Sequence, residues 1–394
     1  MSDTIKTPIL INEDRYSRLE AISWWDQSLL QKAHILVVGS GALGNEIIKN
    51  LALLGVRHLV IVDNDRIEKS NLTRSVLFRE SDEGLFKAEC AARSMKEICP
   101  EAKPTALNAN VVSDVGLGYF RWSQVIIGAL DNREARVFVN SACSMLGRTW
   151  FDGGIEVLHG IVRGFSPPET ACYECTMSQA DWNQINQRRS CSLLARKLVS
   201  VSGTPTTPTT AAVIGGIQTQ EVVKLLHGLS FMNGKGYFFD GLAHDSYTIN
   251  YQIKSDCGCH ESALDVLANE DVTSNTPLRV LSERAEQRLG GLDSIDLGRE
   301  LVRRLKCPEC GREEEVWKSV ESITAEQAVC KSCGAESVPV FLHSLKPDSM
   351  LLNRSPRQLG LPKWDIIWAH YGNSSIGLEI SGDNPFYEDG KNNS

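Results

Sequence analysis

A glycine loop set between an apolar strand and a helix constrains this chain more than any other feature. The stretch ILVVGSGALGNEIIKNLALLGVRHLVIVDND, residues 35–65, opens on an apolar run suited to a buried strand and passes through Gly39-Ser40-Gly41-Ala42-Leu43-Gly44. A helical pattern follows, stopped by Gly55, and then a second apolar strand. In such a loop the first glycine permits the tight turn, the second lets backbone approach phosphate, and the third allows close helix packing. The helix N-terminus then faces an anion. Asp63, 19 residues beyond Gly44 at the end of the second strand, stands where a carboxylate accepts from ribose hydroxyls. The combination reads as a nucleotide pocket, against the alternative of a glycine turn that serves packing alone. It does not say what is done with the nucleotide, because a hydride carrier and an adenylating enzyme can both begin this way.

Strand and helix keep alternating beyond the loop. FKAECAARSMKEIC is a helical pattern ended by Pro100, and TALNANV and QVIIGAL, at 105–111 and 124–130, read as further strands. The fold class expected is α/β: a doubly wound, Rossmann-like domain with a mainly parallel sheet over residues 1–260. Within it, the polar stretch from about 176 to 210 reads as an exposed crossover, and AAVIGGIQTQEVVKLLHG returns to helical spacing. Residues 261–306 are expected as a helical linker, 307–340 as a zinc ribbon, and 341–394 as a small β-rich tail with a frayed end.

Composition narrows the function classes. No apolar run approaches the roughly 18 residues that a membrane span needs, and the first residues lack a secretory signal, so a cytoplasmic protein without membrane contact is expected. A formal charge of −8 argues against nucleic-acid binding, which rests on cations neutralising phosphates. In a cytosolic chain, paired Cys-x-x-Cys spacings among twelve cysteines point to metal before disulfides.

A nicotinamide enzyme would continue with a substrate domain carrying a proton relay. This chain continues with Asn71-Leu72-Thr73-Arg74, then Lys87, then Asp131-Asn132. An arginine and a lysine can neutralise a triphosphate, and an aspartate at a strand's C-terminal end can hold the accompanying Mg²⁺. Singly each has a plainer reading: Arg74 or Lys87 as solvated surface charge, Asp131 as N-cap of the following helix.

Taken in order, RYSR at 15–18, the glycine loop, VDND at 62–65, NLTR at 71–74, Lys87, Asp131-Asn132 and Cys172-x-x-Cys175 resemble the superfamily of ubiquitin-activating enzymes and ThiF/MoeB-type sulfur-carrier adenylases. The resemblance covers about residues 12–260. It implies ATP-dependent adenylation of the C-terminal carboxylate of a ubiquitin-like or sulfur-carrier protein, with loss of pyrophosphate. By it, the pocket residues are Gly39, Gly41, Ala42, Gly44, Asp63 at the ribose with Asp65 close by, Asn71, Arg74 and Lys87 at the triphosphate, and Asp131 at magnesium beside Asn132. Arg18 is similar to an arginine that reaches into the partner subunit's ATP site, which implies a homodimer. One departure is Ser75, where many relatives carry glutamine.

Two metal sites are expected. Cys307-x-x-Cys310 and Cys330-x-x-Cys333, with 19 residues between the pairs, suit tetrahedral Zn²⁺ in a ribbon. Cys172-x-x-Cys175 with Cys257-x-Cys259 is less regular, since relatives usually place two residues inside the far pair, and His260 is an alternative ligand. Zinc at that site is structural in the family.

Eight cysteines go to metal, leaving Cys90, Cys99 and Cys143, read as core residues, and Cys191. Cys191 lies among Arg188, Arg189, Arg196 and Lys197, and nearby cations favour the thiolate that attacks an acyl adenylate. Thioester-forming members of the superfamily carry their nucleophile in this crossover, which makes Cys191 the expected acyl acceptor and a conjugating enzyme the expected recipient. The alternative is a sulfur-carrier adenylase without an obligatory enzyme thioester. The residues beyond 260 are expected either to dock a partner or to support packing; in the docking case, removing 300–394 would leave ATP–pyrophosphate exchange intact.

Overall fold

The computed structural model describes residues 14–190, 192–194 and 205–386. Short apolar runs make the strands β1 (His34–Val38), β2 (His58–Val62), β3 (Lys103–Leu107), β4 (Val125–Gly128) and β5 (Thr149–Glu156). Three more follow: β6 (His159–Phe165), β7 (Lys235–Asp240) and β8 (Asp245–Asn250). They form one eight-stranded sheet in the order β3-β2-β1-β4-β5-β6-β7-β8. Pairing is parallel from β3 to β5, where helices make the crossovers, and antiparallel from β5 to β8, where short turns join β5 to β6 and β7 to β8 while the long connection carrying helix Pro208–Leu226 joins β6 to β7. Only the first residue of β1 and of β2 escapes burial, because helices cover both faces of the sheet. One face packs against helices Ala42–Leu53, Lys87–Ile98 and Pro208–Leu226, the other against Leu117–Trp122 and Arg133–Met145. The expected doubly wound α/β domain is present.

A second, six-stranded sheet is built from β9 (Val266–Ala268), β10 (Ser294–Lys306), β11 (Glu313–Ser319), β12 (Val338–Leu345), β13 (Ile366–Tyr371) and β14 (Ser374–Glu379). Here the structure departs from the helical linker expected over 261–306. That segment holds one described helix of regular length, Leu278–Leu289, and ends in the 13-residue strand β10, which pairs with β11, β12 and β13. The alternation that marks a strand is visible at Ile295 and Leu297 and then fails. Gly298 turns at φ +67°, and the register shifts between Val302 and Arg304, so Leu301, Val302 and Leu305 take the spacing of a helical face.

The second sheet shares a core with the first. Ile366 and Trp368 of β13 pack with Leu36, Val60 and Phe120, so residues beyond 260 complete the helix-covered face of the first sheet. Among the described residues, no helix is long and apolar enough to cross a membrane.

Candidate active site and metal centres

At the carboxyl ends of β1 and β4 the strand order reverses, and a cavity of about 1010 Å³ opens there. Gly39, Gly41, Ala42, Asp63, Asp65, Asn71, Arg74, Lys87, Asp131 and Asn132 all line it. Gly39 turns at φ +96°, and a Cβ on it would come within 2.3 Å of the Ala129 carbonyl oxygen. A Cβ on Gly44 would come within 2.1 Å of the Gly39 carbonyl oxygen, so this glycine packs the loop from behind while Gly41 borders the cavity.

The loop is held by side chains of two kinds. Asp63 Oδ2 accepts from Ser40 N at 2.7 Å and from Ser40 Oγ at 3.0 Å, while Oδ1 accepts from Asp65 N at 2.9 Å. Burial pushes the Asp63 carboxyl above its usual range, against the opposing pull of the Lys87 charge and the Ser40 N–H. Buried Asn45 donates to the carbonyls of Ser40 (2.7 Å) and Gly41 (3.0 Å) and accepts from Leu77 N (2.8 Å). One amide thus ties the glycine loop to the segment that follows Arg74.

Lys87 Nζ pairs with Asp65 Oδ2 at 2.8 Å, and Arg74 Nη1 donates to the Ser70 carbonyl at 2.8 Å. Asn71 Oδ1 accepts from Glu68 N at 3.0 Å. The plainer reading of Asp131 as a helix cap is corrected: Asn132 caps Arg133–Met145, its Oδ1 accepting from Ala135 N at 2.8 Å. Asp131 is exposed on the cavity wall, with one oxygen accepting from Asn132 Nδ2 at 3.2 Å. Arg18 sits elsewhere, exposed on the short helix Ser17–Glu20 and outside the cavity lining. Ser75, the departure noted in the sequence, is buried on the lining, and its hydroxyl has no hydrogen-bond partner among the described residues. An orphaned buried hydroxyl beside Arg74 fits a wall made to meet a polar ligand.

Sequence reasoning missed three arginines of this cavity. Arg136 Nε donates to Asp152 Oδ1 at 2.9 Å and Arg163 Nε to Asp152 Oδ2 at 3.0 Å, with Asp152 fully buried. Burial would lower the Arg163 pKa, but the Asp152 carboxylate outweighs it and the guanidinium is held more firmly protonated. Two guanidinium groups facing one carboxylate leave this triad itself net positive, on a lining that also carries carboxylates such as Glu134 and Asp181. Arg133, the third, donates to Gln184 Oε1 at 2.8 Å and pairs with Asp181 at 3.0 Å. The signal was the pairing of Asp152 with Arg163 across β5 and β6, which becomes visible only with the strand register.

Two clusters have the donor set of a structural zinc site. Cys307, Cys310, Cys330 and Cys333 bring their sulfurs within 4.8 Å of one another, with Cys307–Cys333 at 3.4 Å and Cys310–Cys330 at 3.6 Å. Tetrahedral Zn–S geometry requires sulfurs about 3.8 Å apart, so the quartet fits zinc. Backbone N–H groups of Ser332 and Cys333 draw the Cys330 thiol down to about 6, while the neighbouring sulfurs push Cys333 up to about 12, so with no metal bound the negative charge settles on Cys330.

The second quartet differs from the one expected. Cys172, Cys175 and Cys257 are joined by His260, whose Nε2 lies 3.0 Å from Cys175 Sγ. Cys259 instead faces Glu174 Oε1 at 3.1 Å and Asn140 Nδ2 at 3.4 Å, forming with Glu174 and Cys257 a smaller grouping beside the quartet. The cause is local. Gly258–His260 is a 3₁₀ turn capped by Cys257, and in such a turn residues i and i+3 lie on one side. Cys257 and His260 therefore share a face, which restores the two-residue spacing that Cys257-x-Cys259 lacked. His260 Nδ1 lies 3.2 Å from the Pro168 carbonyl, a contact that leaves Nε2 for a ligand role.

Cys90, Cys99 and Cys143 are buried in the core, as expected. Cys191 lies outside the described residues. The crossover's return is described: Thr206 forms a bridge with Val157, and Thr207 Oγ1 caps helix Pro208–Leu226 by accepting from Thr210 N at 3.3 Å.

A family model described as "ThiF family" matches residues 14–260. The chain belongs to the ThiF family. This ThiF-family chain is 30% identical over 274 residues to the SAMP-activating enzyme E1 of Haloferax volcanii, covering 66% of this chain and 93% of that one. It is 39% identical over 161 residues to the NEDD8-activating enzyme E1 catalytic subunit of Caenorhabditis elegans, covering 38% of this chain and 37% of that one. The match to the SUMO-activating enzyme subunit uba-2 of the same organism covers 27% of that relative, so the chain spans about a third of these two relatives' lengths. E. coli MccB, crystallised with ATP, superposes with a TM-score of 0.51 at 22% identity over 63% of this chain and 75% of that one, a likeness of fold.

Proposed function

We propose that this protein activates a ubiquitin-like protein with ATP. The observation that carries the reading is that the glycine loop, Asp63, Arg74, Lys87 and Asp131, scattered over some ninety residues of sequence, face one cavity. Its relatives named as activating enzymes support the same direction.

In this reading the N-terminus of helix Ala42–Leu53 and the loop N–H groups hold phosphate, and Asp63 meets the ribose. A carboxylate oxygen at the partner protein's C-terminus attacks the α-phosphorus. The bond from that phosphorus to the bridging oxygen breaks, and pyrophosphate leaves with the electron pair. Arg74 and Lys87 stand where that charge develops, with Lys87 aimed by Asp65. Asp131, with Asn71 and Asn132 on the same wall, would hold the magnesium ion that brings further positive charge to the phosphates. Arg18, exposed and away from its own cavity, serves the other subunit of a homodimer. The Cys191 thiolate then attacks the acyl carbon of the adenylate, AMP leaves, and the thioester passes to a conjugating enzyme. The two zinc sites are structural.

The test is ATP–pyrophosphate exchange with candidate ubiquitin-like proteins, read beside a gel for a thiol-sensitive adduct. Exchange together with an adduct that Cys191→Ala removes, while exchange survives, supports the whole reading. Exchange without any adduct points to a sulfur-carrier adenylase. Absence of exchange with every partner, or a dinucleotide in the cavity, overturns it.

A further inference from the structure

The crossover touches the cysteine-rich module. Leu193 is 6% exposed and belongs to a small apolar core whose other buried members are Val302 and Leu305 of β10, which leads into that module, and Val320, Ile323 and Ala328 within it. Leu194 packs at its edge, and the Leu194 N–H donates to Glu336 Oε1 at 2.8 Å. Glu336 is itself fixed. It bridges to Val329 across the turn that carries Cys330 and Cys333, and the Cys330 N–H donates to the Ala335 carbonyl at 2.8 Å.

We infer that the module holding Cys307, Cys310, Cys330 and Cys333 is a clamp for the crossover, with Leu193 as the inserted side chain and Glu336 as the backbone anchor. An apolar core this small is incomplete without Leu193, so ordering of the module and seating of Ser192–Leu194 reinforce each other. The clamped residues directly follow Cys191 in sequence. Resting on the reading of Cys191 as acyl acceptor, Leu193 and Glu336 are then positioning residues for acyl transfer, while adenylation proceeds without them. The metal quartet acts on the same segment at one remove, by fixing the turn that presents Glu336.

The experiment compares the full chain with Glu336→Ala and Leu193→Ser, with zinc content measured on each. Hydrogen exchange is followed in a peptide spanning residues 192–194. Loss of one anchoring hydrogen bond accelerates exchange there by up to about tenfold in Glu336→Ala, because local opening governs the rate. Leu193→Ser accelerates it further. Pyrophosphate exchange stays at the unmodified level in both, and formation of the thiol-sensitive adduct slows. Unchanged hydrogen exchange in both variants, with zinc retained, overturns the clamp. If Leu193→Ser also sheds zinc, Glu336→Ala decides. If the unmodified chain forms no adduct, the acyl-acceptor reading fails, and hydrogen exchange still decides whether the clamp exists.

Discussion

Arg299 and Asp365 form a buried ion pair through which the second sheet grips the nucleotide domain. Arg299 Nε donates to Asp365 Oδ2 at 2.8 Å and Nη2 to Oδ1 at 3.0 Å, with side chains 5% and 0% exposed. The same guanidinium donates to the carbonyls of Val112 and Val115, each at 2.6 Å, and Asp365 Oδ1 accepts from Leu117 N at 2.9 Å. Ala109, Asn110 and Val111, which precede Val112, line the cavity. A residue on β10 therefore fixes a loop of the nucleotide site.

Removing one partner of such a pair leaves a buried charge with too few donors, a loss of about 3–5 kcal/mol. Arg299→Met is expected to lose that much stability and, because the 109–116 loop is released, to bind ATP more weakly. Arg299→Met combined with Asp365→Leu recovers part of the stability. Urea unfolding of the single and double variants, with nucleotide titration, checks this; equal midpoints for Arg299→Met and the unmodified chain would contradict it.

Packing supports the second of the two roles expected for the residues beyond 260, because 300–394 are built into the core of the nucleotide domain. Trp364 Nε1 and Arg121 Nη1 both donate to buried Glu379, and β13 contributes Ile366 and Trp368 to the core under β1. A fragment ending at residue 299 exposes that face and leaves Leu117 N without its partner. It is expected to aggregate or to lose pyrophosphate exchange. A monodisperse, exchange-competent fragment on gel filtration would refute this.

The nucleotide half of the fold was legible because each signal was local: apolar strands, a glycine loop, and an acid at the next strand end. Residues that act through a local turn or a distant register were not. The choice of Asn132 over Asp131 as cap depends on one residue of helix phase, and His260 joins Cys172, Cys175 and Cys257 because a 3₁₀ turn sets which donors share a face. β10 hid behind Gly298 and a register shift, and the Arg136–Asp152–Arg163 triad needed the β5–β6 pairing to appear. The last two misses come from tertiary placement overriding a sequence pattern, and the first two from turn geometry finer than residue spacing reveals.

The two quartets differ in a measurable way. His260→Ala is expected to release one of two bound zinc ions to a competing chelator, while Cys259→Ser retains both. Atomic absorption after dialysis gives the count. Retention by His260→Ala and loss by Cys259→Ser would return the fourth ligand to Cys259.

In the cavity, Lys87→Ala removes a charge that is 12% exposed and already aimed by Asp65. Loss of one preorganised donor to developing charge typically lowers turnover about 10²–10³-fold, and pyrophosphate exchange should fall by that order. Asp131→Asn should fall similarly and respond to added Mg²⁺, while Arg133→Gln, which breaks only wall contacts to Gln184 and Asp181, should fall less. Equal loss in all three would mean the wall, and not the named charges, is what matters.

Asp63 carries a pH signature whose sign follows from its burial. Its folded pKa is raised, chiefly by desolvation, so the protonated form is the better tolerated one in the fold. The stability it contributes is fully present below the unfolded pKa and is lost as pH rises through the folded value. Asp63→Asn keeps an acceptor for Ser40 N without the charge, so its melting temperature relative to the unmodified chain should climb as pH rises from the ordinary carboxylate range toward neutrality. The variant should at the same time bind ATP more weakly, since the proposed reading places this cavity carboxylate at the ribose. Thermal unfolding from acid to neutral pH, paired with nucleotide titration, reads both effects. A pH-independent difference in melting temperature would show that Ser40 and Lys87 compensate the buried charge fully.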